Sequence, residues 1–295
     1  MSDTSVVVIG VFDGVHKGHQ VLFNRAKEIA DGRSIIALTF DPHPTTVFAP
    51  DKAPTLLTTL ADRVELLKIH NADQVAVIKF NEKFAAMSPE EFVQSVLVNQ
   101  LHASTVIVGK NFTYGHKAAG NVDTLIKSGL THNFTVDVQE LKVDTEAISS
   151  SRIRALVTEG KVEKARELLS RPHRLDGVVV HGEKRGREIG YPTANLGNIE
   201  GQTIPADGVY AGWLTVGINF WPAAISIGTN PTFEGVRGRQ VEAYALDQEG
   251  LDLYDKNASI EFGWFLRPTL KFDSLDALLQ QMKQDCQKAR ELTEN

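Results

Sequence analysis

A chain of 295 residues, 42% hydrophobic and 23% charged, is long enough for two domains and has an ordinary globular balance, which excludes a disordered polymer. Its net charge of −6 argues against broad nucleic-acid binding, which needs a basic face, and no segment approaches the roughly 20 apolar residues that span a bilayer. A single cysteine, Cys286, excludes an internal disulfide framework and a cysteine-cluster metal site, fits a reducing compartment and is assigned to packing on the last helix. With no signal-peptide pattern at the amino terminus, the expectation is a cytoplasmic protein with neither nucleic acid nor membrane as partner.

From Ser5 to about Arg171, short β-branched runs alternate with helical patterns. Residues 6–9, 35–40, 75–78 and 105–108 read as strands. Apolar residues recur at helical spacing at Val21, Leu22, Ala26 and Ile29, at Leu60, Val64, Leu67 and Ile69, and at Phe92, Val93, Val96 and Leu101. Strands apolar on both faces, alternating with helices, predict a parallel sheet covered by helices. Ligands of such sheets bind outside the carboxyl ends of the strands. Residues 156–169 read as helix interrupted at Gly160, and Arg171-Pro172-His173 reads as the domain junction. Beyond it, runs at 177–181, 209–216, 223–227, 241–246 and 259–266 follow one another without helices, the pattern of an antiparallel barrel or sandwich. Leu275, Leu278, Leu279, Met282 and Cys286 form the stripe of a closing amphipathic helix.

The loops carry the chemistry. Gly10-Val11-Phe12-Asp13-Gly14-Val15-His16-Lys17-Gly18-His19-Gln20 joins the first strand to the first helix, where backbone N–H groups and the helix dipole receive phosphate. Gly10, Gly14 and Gly18 let an anion approach the backbone. His16 and His19 read as phosphate-binding residues, as half of a metal site, or as an ordinary helix start, and no nearby cysteine or carboxylate pattern supports the metal. Asp13 either caps the helix or suits the Mg²⁺ of a nucleotide. Asp41-Pro42-His43-Pro44 reads as a rigid turn. The loop at 109–116 contains Asn111 and Phe112, and in Ile148-Ser149-Ser150-Ser151-Arg152-Ile153-Arg154 the hydroxyls suit a helix cap and the arginines a phosphate.

In the second half, residues 182–196 set a glycine at every fourth position among basic residues, as in a loop wrapped around phosphates or an exposed basic hairpin. On a strand Thr193 and Asn195 face the same side, to hold Mg²⁺ or to make structural hydrogen bonds. Glu242 is either a general base in a cleft or a solvated surface carboxylate. There is no Walker A sequence, so an ATP site here is of another type.

Together these motifs resemble the bacterial bifunctional riboflavin kinase/FAD synthetase family along nearly the whole chain. Residues 10–20, 40–44, 109–115 and 148–154 carry the likeness in the first half, and residues 182–196, 207–210, 228–233 and 241–242 in the second. The resemblance implies a Rossmann-like FMN adenylyltransferase domain at 1–171, then a six-stranded antiparallel β-barrel riboflavin kinase domain with a C-terminal helix at 172–295. It implies riboflavin, FMN, FAD and ATP as ligands, Mg²⁺ as cofactor, and a monomer or weak homo-oligomer.

By the same resemblance Glu242 is the catalytic base of the kinase, Thr193 and Asn195 hold Mg²⁺ and phosphates, and Gly182, Arg187, Gly190 and Pro192 belong to the loop closing on the nucleotide. In the transferase, His16 and His19 stabilise the α-phosphate, with Gly10, Phe12, Asp13, Gly14, Asn111, Phe112, Ser149, Ser150 and Arg154 around the nucleotide and flavin. Three positions depart from the family pattern. Ser151 stands where threonine is common, Ala118 where arginine is common, and Asp255 in place of a glycine after Leu253-Tyr254.

Overall fold

The computed structural model describes residues 4–140, 142–143, 146–182, 189–228 and 239–294. The chain divides into two compact units, residues 1–54 with 58–150, and residues 55–57 with 151–295.

Five strands build the first unit: β1 (Ser5–Ile9), β2 (Ser34–Asp41), β3 (Gln74–Lys79), β4 (Ala103–Gly109) and β7 (Thr135–Gln139). All pair in parallel, in the order β3-β2-β1-β4-β7. The chain therefore winds outward from β1 through β2 to β3, then returns to the other side of β1 at β4. Ligands of doubly wound sheets lie in the crevice where the order reverses, between β1 and β4. That crevice is flanked by the loop at 10–20 and the loop at 109–116.

Val7, Ile9, Leu38 and Val106 enter one apolar layer, while Val6, Val8, Ala37 and Ile107 enter the other, so both faces of the central strands are covered. The edge strand β3 is mostly half-buried or exposed. Helix α1 (Lys17–Ile29) turns Leu22, Phe23 and Ala26 inward, with Phe23 rather than Val21 completing the face.

Two short helices, α2 (Pro44–Phe48) and, after α3 (Leu60–Ile69), α4 (Glu82–Ala85), stand beside the crevice. Thr59 caps α3 by accepting the Asp62 N–H, and its buried residues are Arg63 and Leu67. The stripe read from sequence is thus rotated, because Ile69 is exposed while a cation occupies the inner face. Helix α5 (Pro89–Phe92) opens with a complete capping box at Ser88 and Glu91, then continues as a π-type segment, Val93–Gln100. A ribbon of β5 (Thr113–Tyr114) and β6 (Gly120–Asn121) precedes α6 (Val122–His132). The strands β8 (Lys142–Val143) and β9 (Glu146–Ala147) pair near the unit's end.

In the second unit α7 (Ser150–Thr158) and α8 (Val162–Leu169) are separated by Gly160 at φ 76°, the expected interruption, and Val162 joins the barrel core. The barrel closes through β10 (His173–Val180), β11 (Ala194–Gly197), β14 (Gln240–Ala245), β13 (Asn219–Gly228), β12 (Gly208–Val216) and β15 (Asn257–Arg267), in that spatial order and antiparallel throughout. Alternation fills it: Ala194, Leu196, Val241 and Ala243 point inward, and their neighbours Asn195 and Glu242 point outward.

Helix α9 (Leu275–Thr293) packs Cys286 and Ala289 against Ala211 and Leu246, and Arg267 forks onto Asp285 at 2.7–3.1 Å. Burial pushes the Cys286 thiol up to about 11, in keeping with a packing role. Leu275, expected on the buried stripe, is exposed, and the buried side of the helix runs through Asp285 instead.

Candidate functional site

The loop after β1 is built from backbone conformations that most side chains avoid. Phe12, Gly14 and Val15 have φ of 55°, 84° and 40°, and a β-branched residue there stores strain of about 1–3 kcal/mol. Neighbouring bonds hold the loop in place. The Thr58 N–H and hydroxyl donate to Asp13 Oδ1 at 3.2 and 3.3 Å, the Gly14 N–H donates to Thr58 Oγ1 at 3.1 Å, and the Ser150 hydroxyl donates to the Asp13 carbonyl at 2.8 Å. Asp13 is 2% exposed, so its carboxylate anchors the segment before α3. Ser150, expected as a cap, instead ties its helix start to the loop.

At the head of α1 the His16 carbonyl accepts the His19 and Gln20 N–H groups, at 2.7 and 3.0 Å. The two imidazoles stack at 3.6 Å with 18° between their planes. His16 is buried and His19 half-buried, and the His19 Nδ1 has no hydrogen-bond partner among the described residues. Burial, and then the neighbouring His16, hold His19 well below the ordinary histidine range, so the ring is neutral at neutral pH in this arrangement. An anion at the pair would reverse that preference.

Phe12, expected at the ligand, packs its side chain inward. Its side chain is 0% exposed and meets His19 edge-on at 5.2 Å and Phe23 at 5.2 Å. The glycine pattern acquires matching reasons. A Cβ at Gly10 would meet the Phe12 ring at 2.6 Å, and one at Gly18 would meet the His16 ring at 3.1 Å, whereas Gly14 supplies a left-handed turn.

Beside this loop lies a cavity of about 400 Å³ lined by Gly10 and Val11 on one side, His43, Pro44 and Thr45 on a second, and Asn111 to Gly115 with Ala118 on a third. Phe40, Phe48, Phe80, Phe84, Phe92, Phe112 and Tyr114 contribute aromatic rings to its wall. Phe112 and Tyr114 stack at 5.5 Å and 11°. An apolar, aromatic slot with few polar groups accepts a flat heterocycle. The Asp41-Pro42-His43-Pro44 turn is therefore also a cavity wall, with its Asp41–Pro42 peptide cis and His43 Nδ1 accepting the Thr45 N–H.

One participant was missed in the sequence. Arg63 is 1% exposed, its Nη1 donates to the Val11 carbonyl at 3.0 Å, and its Nη2 faces Asp41 Oδ1 at 3.4 Å. Leu60, Arg63 and Leu67 share one helical phase, which was the available signal.

On the barrel a second group assembles. Asn195 pairs with Glu242 across β11 and β14, and the Thr193 hydroxyl donates to Glu242 Oε2 at 2.9 Å. Thr193, Asn195 and Glu242 share the outer face, as the parity of 193 and 195 predicts. Gly182 lies against Asn195, since a Cβ there would stand 2.5 Å from the amide nitrogen. Pro192 and Thr193 line a cavity of about 590 Å³ with Gln248, Asp252, Leu253 and Tyr254, and His181 stacks on Tyr254 at 4.0 Å.

Gly190 adopts φ 86° with open space beside it. Arg187 and residues 229–233 lie outside the described residues. Arg154 falls in the second unit, where its guanidinium donates to the Ser151 hydroxyl at 3.2 Å. Ser149 immediately precedes α7.

Thr193, Asn195 and Glu242 offer a hydroxyl, an amide oxygen and a carboxylate, the hard oxygen set that suits Mg²⁺. Among the described residues no group of three His, Cys, Asp or Glu side chains forms a metal cluster. No described helix is long and apolar enough to cross a membrane.

A family model described as FAD synthetase matches residues 1–152, and one described as riboflavin kinase matches residues 169–293. The bifunctional riboflavin kinase/FMN adenylyltransferase of Listeria monocytogenes is 38% identical, over 97% of this chain and 91% of its own length. The Escherichia coli protein of the same description is 35% identical, over 97% and 92%. A crystal structure from Streptococcus pneumoniae, described as a macrolide-efflux protein, superposes with a TM-score of 0.86 at 32% identity, covering 98% of this chain and 95% of that one.

Proposed function

The chain belongs to the family of bifunctional riboflavin kinase/FMN adenylyltransferases, enzymes that carry riboflavin to FMN and FMN to FAD, and from that premise we propose how its side chains divide the two reactions. ATP serves both, as phosphoryl donor in the barrel and as adenylyl donor in the first unit.

The kinase reaction centres on Glu242. A ribityl hydroxyl is a poor nucleophile, and Glu242 takes its proton as the oxygen attacks the γ-phosphorus. The Thr193 hydroxyl, by donating to Glu242 Oε2, orients the carboxylate for that task. That 2.9 Å bond, with Asn195 in register beside it, is the observation that carries the reading. Thr193 and Asn195 would hold Mg²⁺, which when bound neutralises charge on the ATP phosphates. Gly182, Arg187, Gly190 and Pro192 belong to the segment that covers the nucleotide.

In the first unit the nucleophile is the FMN phosphate. It is already anionic, so stabilisation of charge on the α-phosphate replaces general base catalysis. His16 and His19 supply that stabilisation from the head of α1, assisted by the backbone at Gly10 and Gly14 and by Ser149 and Ser150. A bound phosphate opposes the burial that holds His19 low and so favours a proton on that ring. The aromatic cavity bearing Asn111 and Phe112 seats the flavin ring. The enzyme works as a cytoplasmic monomer or weak homo-oligomer.

A crossed assay tests the division. Glu242→Gln should stop riboflavin phosphorylation and leave FMN adenylylation intact, while His19→Ala should do the reverse. Loss of both activities in both folded variants would refute it.

A further inference from the structure

Arg63 is the largest fully buried side chain among the described residues, and nothing in the two reactions above uses it. A buried guanidinium is costly unless its donors are met. Here Nη1 has the Val11 carbonyl at 3.0 Å, Nη2 has a long contact to Asp41 at 3.4 Å, and Nε has no partner among the described residues. Such a group persists where two separate segments must be held by one rigid fork.

The two segments are the loops after β1 and β2. Val11 lies in the first, and its carbonyl also accepts the Thr39 hydroxyl at 2.9 Å. Asp41 opens the second, which continues to His43, Pro44 and Thr45. Val11 from the first loop and His43, Pro44 and Thr45 from the second all line the aromatic cavity. At 1% exposure Arg63 cannot touch a ligand there.

We propose that Arg63 is a positioning residue for the adenylylation reaction: bridging the Val11 carbonyl and the Asp41 carboxylate, it fixes the width of the flavin slot and so sets affinity for FMN. This rests on the reading of the aromatic cavity as the flavin seat.

Steady-state pyrophosphate release from the full-length enzyme, with FMN varied at saturating ATP, tests it. Arg63→Lys keeps the charge but not the fork, and should raise KM for FMN about 10-fold or more while kcat stays within about 3-fold. Near-intact kcat at saturating FMN also reports a folded first unit. Asp41→Asn, at a half-exposed position, should raise KM in the same direction, and the double variant should do no worse than Arg63→Lys alone, because both break one bridge.

Unchanged KM in Arg63→Lys, a fall confined to kcat, or effects that multiply in the double variant would overturn the proposal. If Arg63→Lys does not fold, an unchanged KM in Asp41→Asn overturns it. Phe112→Ala separates the premise from the inference. Unchanged KM there removes the flavin seat and the clamp together, whereas a raised KM with no effect at Arg63 and Asp41 removes the clamp alone.

Discussion

Imidazoles in the first unit and a carboxylate in the barrel occupy opposite surroundings. His16 and His19 are packed ring on ring under a strained loop, with Phe12 wedged against one of them, whereas Glu242 stands on the outer face of a regular strand pair and accepts the Thr193 hydroxyl. The difference follows from the nucleophiles proposed for the two sites. An anionic phosphate needs no base, so its site can hold a desolvated, neutral His19 ring that responds when negative charge arrives. A neutral hydroxyl must surrender a proton, so its base has to remain ionised and within reach of substrate.

The largest effect expected from breaking this comparison is at Glu242. Glu242→Gln should lower FMN formation from riboflavin by about 10²–10⁴-fold, followed by flavin chromatography, while FMN to FAD conversion continues. Next, His19→Ala should lower FAD formation about 10²–10³-fold, read as pyrophosphate release, with the kinase unaffected. A large kinase defect in His19→Ala would mean that the sites are not chemically independent.

A third prediction sharpens the contrast with a histidine of the barrel that serves stability alone. His173 is 1% exposed, its Nε2 bonds to the Thr203 carbonyl at 2.7 Å, and burial lowers it to about 4. Below the ordinary histidine value of about 6.5 the unfolded chain binds a proton that the buried ring refuses. This stability is therefore complete above pH 6.5 and lost as pH falls toward 4, about 3 kcal/mol in all. Trp213, Trp221 and Trp264 all lie in the barrel, so urea unfolding followed by tryptophan fluorescence isolates that unit. His173→Gln should flatten the pH dependence, and an equally steep curve in that variant would assign the slope elsewhere.

The smallest effect concerns Asp255, one of the departures from the family pattern. It sits at φ 60°, where glycine is unstrained and aspartate is tolerated. Asp255→Ala should destabilise the barrel by about 1 kcal/mol and Asp255→Gly should not, measured by the same fluorescence midpoint. Equal losses in both would implicate the carboxylate rather than the backbone. Ala118, at φ 56° on the cavity rim, is likewise left-handed.

Much of the fold was legible because it is periodic. Residues 6–9 and 35–40 form β1 and β2 because apolar, β-branched runs suit strands buried on both faces, and the shift from alternating helices to successive strands after residue 172 reflects a real change from layered sheet to barrel. The failures are where periodicity was read with hydrophobicity alone. Strand β7 carries Asp137, so it did not register as a strand, and Arg63 was passed over for Ile69 because a cation was not considered for an inner face. On α9 the same bias favoured Leu275 over Asp285, which burial allows because Arg267 neutralises it.

The sequence by itself determined the two fold classes and the family, since each depends on residue order over short spans. Only the tertiary structure decided what individual residues in the loops do. It brought the loops at 10–20 and 109–116 together across the β1/β4 reversal, buried the Phe12 side chain, bonded Thr58 to Asp13, and joined Arg63 to Val11 and Asp41. Those outcomes depend on side chains distant in the chain competing for the same space and the same hydrogen bonds, and local spacing contains no record of that competition.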